Sequence, residues 1–151
     1  MAANIIDESS RRFSNGQLVK PIAVSASFSG VFTLTEINGK FYVDGGTLNN
    51  FPVEPLKNIC NKIIGVYVNP LKEVSIKDLK HSYSIVERAY KIKVAAESMN
   101  KFPDCDLVIN PQELINFGTF GMNNIDALFN LGYTSTKKAL EESKGVLKDL
   151  L

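Results

Sequence analysis

What this sequence has little of already narrows its function. It holds one histidine, His81, and two cysteines, Cys60 and Cys105, which stand far apart. No His or Cys therefore lies at metal-ligand spacing, and neither a metal nor a cofactor is expected. The two thiols read as unpaired side chains in a reducing compartment, which places the chain in the cytoplasm. Charge of one sign is also lacking. Seventeen Lys and Arg stand against sixteen Asp and Glu, for a net charge of +1. Without a clustered basic excess there is no case for a nucleic-acid partner. No stretch approaches the roughly 18 apolar residues of a membrane span. The opening residues carry no basic segment followed by an apolar one, so no signal peptide is expected. Repeats, low-complexity tracts and linkers are absent. A length of 151 residues suits one domain with a core, spanning 1–151.

The patterns that are present alternate between strand and helix. Ala2 to Ile6 reads as a short strand, and Ser14-Asn15-Gly16 as a turn. Leu18 to Phe28 reads as a short helix. Thr33 to Ile37 and Lys40 to Val43 are β-type runs around Asn38-Gly39, a strong hairpin signal because both residues tolerate positive φ. Pro52 and Pro55 suit the first turn of a helix, whose amides lack intrahelical partners, and that helix would reach about Asn61. Ile63 to Val68 is a continuous apolar run stopped by Asn69-Pro70, the pattern of a parallel strand buried on both faces. Residues 40–68 thus predict a βαβ unit with both strands in one sheet. Ser75 is a candidate cap for an amphipathic helix of about 24 residues carrying Ile76, Leu79, Tyr83, Val86, Tyr90 and Val94. Asp106 to Ile109 is a further short strand. From Asn123 the pattern is helical to the end, with Gly132 marking a break. The fold class expected is α/β, a mostly parallel sheet with flanking helices.

Ligands of open α/β sheets bind beyond the carboxyl ends of the strands. Asp44-Gly45-Gly46 follows the strand ending at Val43, so Asp44 is the candidate carboxylate there. The two glycines supply conformations that other residues avoid. An ordinary Asp-Gly turn accounts for the same spacing, and both readings stay open at this point. Gly118-Thr119-Phe120-Gly121 lacks the spacing of a phosphate loop.

Three blocks carry a more specific signal. Lys20-Pro21-Ile22-Ala23-Val24-Ser25-Ala26-Ser27-Phe28-Ser29-Gly30-Val31-Phe32, Asn38-Gly39-Lys40-Phe41-Tyr42-Val43-Asp44-Gly45-Gly46 and Asn49-Asn50-Phe51-Pro52-Val53 resemble, in order and separation, motifs of the bacterial patatin-like phospholipases. Cys105 to Pro111 and Phe117-Gly118-Thr119-Phe120 are weaker echoes. The resemblance places the chain in the C-terminal half of that fold. It implies a Ser-Asp dyad acting on fatty acyl esters of lipids, with Asp44 as the dyad acid. Gly45 and Gly46 would shape its loop, and Asn49 and Asn50 would hold that loop and cap the next helix. No histidine is required, and His81 reads as a surface or helix-packing residue.

The departures are as informative. The family's nucleophile motif, G-x-S-x-G, does not occur in this sequence, nor does its glycine-rich oxyanion segment. Ser29 stands where the family has proline. Ser25, Ser27 and Ser29 lack the strand-to-helix elbow that exposes a nucleophilic serine. The expected function is part of a serine lipid acyl hydrolase, with the nucleophile outside this chain and the chain alone inactive. The alternative is a non-catalytic α/β module that binds a lipid or a protein. Expected partners are a lipid acyl ester, transient contact with a membrane surface near the basic helix region (Lys72, Lys77, Lys80, Arg88, Lys91, Lys93, Lys101), and a second copy of the chain through an open sheet edge.

Overall fold

The computed structural model describes residues 1–118, 122–143 and 145. The chain is mixed α/β and divides into two compact units, Met1–Asn50 and Phe51–Leu151.

The first unit is an antiparallel four-stranded sheet with one helix against it. Its strands are β1 (Ala2–Asn4), β2 (Ser9–Arg11), β3 (Thr35–Ile37) and β4 (Lys40–Asp44), in the order β2-β1-β4-β3. The β3–β4 hairpin turns on Asn38 (φ 52°) and Gly39 (φ 74°), two positive φ values in succession as a two-residue hairpin requires. Helix α1 (Val19–Ser25) carries Pro21 in its first turn, where the missing amide is harmless. It buries Val24 against Ala2 and Tyr42, with Phe13 and Ile37 packed alongside. The Phe13 and Tyr42 rings meet edge-on at 5.8 Å. Small side chains at Ala2 and Ala3 let β1 be fully buried between its neighbours.

The second unit centres on a parallel pair, β5 (Ile64–Val66) and β6 (Leu107–Ile109), in register Gly65 to Val108. Phe51, Val53, Ile63 and Tyr67 form its core, with Phe102 and Cys105 against them. The Phe51, Tyr67 and Phe102 rings contact one another edge-on at 5.4–6.3 Å. Gly65 is required by this cluster, because a Cβ there would collide with Phe51 Cζ. Asp106 fixes the register from outside the ladder: its carboxylate accepts from Ile63 N (2.8 Å) and Lys62 Nζ (3.0 Å). The Ile63 amide, then Lys62, holds the Asp106 carboxyl below the usual carboxylate range. Helix α2 (Ser82–Met99) and helix α3 (Ile125–Glu142) complete the unit, and α3 packs on β6.

Several local expectations differ from what forms. The βαβ unit over residues 40–68 does not: β4 and β5 belong to separate sheets, and among the strand pairs of the described residues only β5–β6 is parallel. Residues 52–61 make successive turns, such as Leu56 N to Val53 O at 2.9 Å, in place of a helix. Pro55 disfavours the helical region for Glu54 before it, which breaks propagation. The apolar run at 63–68 is buried on one face only; Ile63, Gly65 and Tyr67 point inward while Ile64, Val66 and Val68 are exposed. The long helix is shorter. Asp78 accepts from both Ser75 N and Ser75 Oγ at 2.8 Å, which closes a separate 3-10 turn before α2 begins. Gly132 makes no break, since α3 runs through it. The echo at Thr119 and Phe120, together with Gly121 and the end of the last helix, lies outside the described residues.

Two outcomes test this packing. Gly65→Ala should destabilise the second unit by about 1–3 kcal/mol through overpacking, read by urea unfolding. Asp106 has a folded pKa below its unfolded one, so its stabilisation is present above about pH 4 and lost as pH falls through the lower folded value. Asp106→Asn should remove that acid-dependent part of the melting profile; an unchanged profile would contradict it.

Candidate functional site

Asp44 ends β4, an interior strand of the first unit's sheet, and the backbone holds it from three sides. Asp44 pairs with Ala2 across the ladder, and its amide donates to Ser27 O at 3.0 Å. Its side chain turns back, and Oδ1 accepts from Gly46 N at 2.9 Å. That bond caps the 3-10 turn Gly45–Thr47, which closes through Leu48 N and Asn49 N to Gly45 O. Among the described residues no hydrogen bond reaches Oδ2, and no Lys, Arg or His nitrogen lies within ion-pair distance of the carboxylate. The residue is half-buried.

The two glycines earn their place by space. Neither has the positive φ expected from the sequence; among the described glycines Gly16, Gly30 and Gly39 have it. A Cβ on Gly45 would lie 2.7 Å from Met1 O, a backbone atom. A Cβ on Gly46 would lie 2.8 Å from Asn50 Oδ1, a movable side-chain end. Asn50 thus folds over the turn, and Asn49 is tied to Gly45 by its amide. Neither caps a following helix, because turns follow instead.

The serine-rich turn after α1 comes to the same place. Ser29 Oγ lies 3.2 Å from Thr47 Oγ1, and Gly30 (φ 92°) lets the chain reverse there. Ser27 is buried, with Oγ donating to Ala23 O at 2.8 Å, so its hydroxyl is committed to the helix end. The Ser29–Thr47 contact joins segments remote in sequence, and no spacing rule signals it. A shallow groove of about 560 Å³ is lined by Ile5, Ser29, Gly30, Phe32, Thr33, Leu34 and Val43. Asp44 does not line it, as expected for neighbours on opposite faces of a strand.

Residues 2–57 match the family model for patatin-like phospholipase. No curated protein matches. The match to patatin-like phospholipases covers β1, the serine-rich turn and the whole Asp44 loop, which the structure assembles in the first unit. It stops short of the second unit's sheet.

The remaining candidates stand apart chemically. His81 is exposed and precedes α2 without a capping bond. Of the basic residues around α2, Lys91 pairs with Glu87, Lys93 with Glu97 and Lys101 with Glu54, while Arg88 donates to the backbone carbonyl of Lys72. Among the described residues no helix is long and apolar enough to cross a membrane, and no three His, Cys, Asp or Glu side chains converge as metal ligands.

The glycines give a differential test. Gly45→Ala should cost about 1–3 kcal/mol, since Met1 O is backbone and cannot step aside. Gly46→Ala should cost less, because Asn50 can rotate away. Thermal melts of the two variants should therefore be clearly ordered, with Gly45→Ala lower.

Proposed function

We propose that this chain supplies the acid of a Ser-Asp dyad in a patatin-like lipid acyl hydrolase, of phospholipase A or esterase type. The nucleophilic serine and the oxyanion donors come from outside these residues, and the chain corresponds to the C-terminal part of a bacterial family member's domain. One observation carries the reading. Asp44 sits at a strand end within the family-matched stretch, with one carboxylate oxygen anchored on Gly46 N and the other free of donors and cations among the described residues. A clamped ion pair would have committed both oxygens.

In the proposed reaction the serine Oγ attacks the ester carbonyl carbon while its proton passes to the free oxygen of Asp44. The proton then goes to the departing alkoxide. Water repeats the sequence on the acyl-serine and releases the fatty acid. The fixed orientation that the Gly46 bond gives the carboxylate carries much of the effect. A cytoplasmic location, transient contact with a membrane surface and self-association complete the proposal.

A second reading is favoured by the same Gly46 bond: an aspartate that only caps a turn, in a module that binds lipid or protein without turnover. Asp44→Asn separates the two, because asparagine keeps an oxygen for the Gly46 N–H but cannot take the proton. The purified chain alone should not hydrolyse a p-nitrophenyl ester above a buffer control. A polypeptide bearing G-x-S-x-G and added to it should restore turnover. Asp44→Asn should then lower that turnover at least about a hundredfold. Absence of restored turnover supports the module, and full activity of Asp44→Asn in the restored mixture rules out Asp44 as the dyad acid. Turnover by the chain alone, lost in Asp44→Ala, would mean that a nucleophile lies within this chain, and Ser25, Ser27 and Ser29 would be the first serines to mutate.

A further inference from the structure

The loop that carries Asp44 is tied at both ends to one neighbouring segment. Upstream, the Asp44 amide donates to Ser27 O at 3.0 Å. Downstream, Thr47 Oγ1 lies 3.2 Å from Ser29 Oγ. Ser27 and Ser29 both belong to the turn that follows α1, and bonds of its own hold that turn. Phe28 N donates to Ala26 O at 2.9 Å, and Val31 N and Phe32 N donate to Phe28 O at 3.1 Å. The buried Ser27 hydroxyl is committed to Ala23 O. Both ties of the Asp44 loop therefore fasten onto a segment with a fixed course.

The two ties differ in what they fix. The Ser27 bond joins backbone to backbone and sets where β4 ends, but it leaves the Asp44 side chain free to change rotamer. What holds the carboxylate is the Gly46 N–H, at 2.9 Å from Oδ1. The direction of that N–H follows from the course of the Gly45–Thr47 turn. Two of the three residues in the turn are glycines, which lose more backbone freedom on ordering than any other residue. Leu48 N and Asn49 N close the turn onto Gly45 O, which ties it to itself. Thr47 ties it to a second segment.

We propose that Ser29 and Thr47 are a positioning pair for Asp44. Their hydroxyl bond sets the course of the Gly45–Thr47 turn, and through the Gly46 amide it sets the direction of the Asp44 carboxylate. Neither hydroxyl touches the reacting atoms. Ser29 is exposed and Thr47 half-buried, so the bond acts with the strength of one hydrogen bond in contact with water. The effect of the pair on turnover rests on the proposed role of Asp44; its effect on the loop does not.

The test reads the Gly46 amide by hydrogen exchange in NMR spectra of the full chain. Thr47→Val keeps the side-chain shape without the hydroxyl and should speed exchange at Gly46 about two- to tenfold, the effect of one hydrogen bond. Ser29→Ala should do the same. The double variant should add nothing further, as a double-mutant cycle requires of one shared contact. Thr47→Ser keeps a hydroxyl and should exchange at the wild-type rate. Amides of the β3–β4 hairpin should not change in any variant, which separates the effect from a loosened unit. In the mixture with a polypeptide bearing G-x-S-x-G, Thr47→Val should lower kcat about two- to tenfold and leave KM unchanged, and Thr47→Ser should restore kcat. A wild-type exchange rate at Gly46 in Thr47→Val and Ser29→Ala overturns the proposal. So do additive effects in the double variant, an unaltered kcat beside a loosened Gly46 amide, or turnover abolished by Ser29→Ala and spared by Thr47→Val. If the mixture shows no turnover with the wild-type chain, the reading of Asp44 fails while the exchange cycle still decides the pair. If Thr47→Val does not fold, Ser29→Ala set against Ser29→Thr reads the same bond.

Discussion

The pairing of β1 with β4 is the constraint on which the candidate site depends. Ala2, Ala3 and Asn4 register against Asp44, Val43 and Tyr42, and the Met1 carbonyl then comes to rest over Gly45. Any side chain at position 45 would push these backbones apart. With them in contact, the Gly45–Thr47 turn has one course, and the Asp44 carboxylate falls back onto Gly46 N. The Ser29 turn reaches the same place because Ser27 O holds the Asp44 amide. The site is thus built mainly from backbone, which is why so few of its side chains are large.

Much of this was legible in the sequence, and for local reasons. Asn38-Gly39 announces its hairpin because positive φ at two adjacent positions is a property of those residues alone. The Asp44 turn follows from a carboxylate, two glycines and a strand end within a few positions. Leu107 to Ile109 and the α1 helix were similarly visible. What failed to show depends on tertiary context. An apolar run such as Ile63 to Val68 reads alike whether one face or two are covered, so the burial of β5 could not be read. Sheet membership of β4 and β5 is set by partners distant in the chain, and the βαβ expectation failed there. Pro52 and Pro55 are compatible with a helix start or with serial turns, and serial turns are what forms.

The reason for Gly45 was also misplaced by sequence reasoning. A glycine pair after a strand suggests unusual dihedral angles, yet neither residue uses them. The need is for room: a carbonyl belonging to another strand occupies the volume of the absent Cβ. Gly65 follows the same rule in the second unit, where the Phe51 ring fills that volume. The two units thus use one device, a glycine facing a close neighbour, for a turn in one case and a core in the other.

The hairpin at Asn38-Gly39 has a bearing on the order of assembly. Its strands adjoin in sequence, so closing it costs little loop entropy and takes on the order of microseconds. Pairing of β1 with β4 joins segments nearly the whole unit apart and comes later, at greater entropic cost. The strand bearing Asp44 is therefore straight and ready before anything holds the carboxylate in place. The packed geometry around the Asp44 loop is among the last features of its unit to form, and among the first to be lost when that unit loosens.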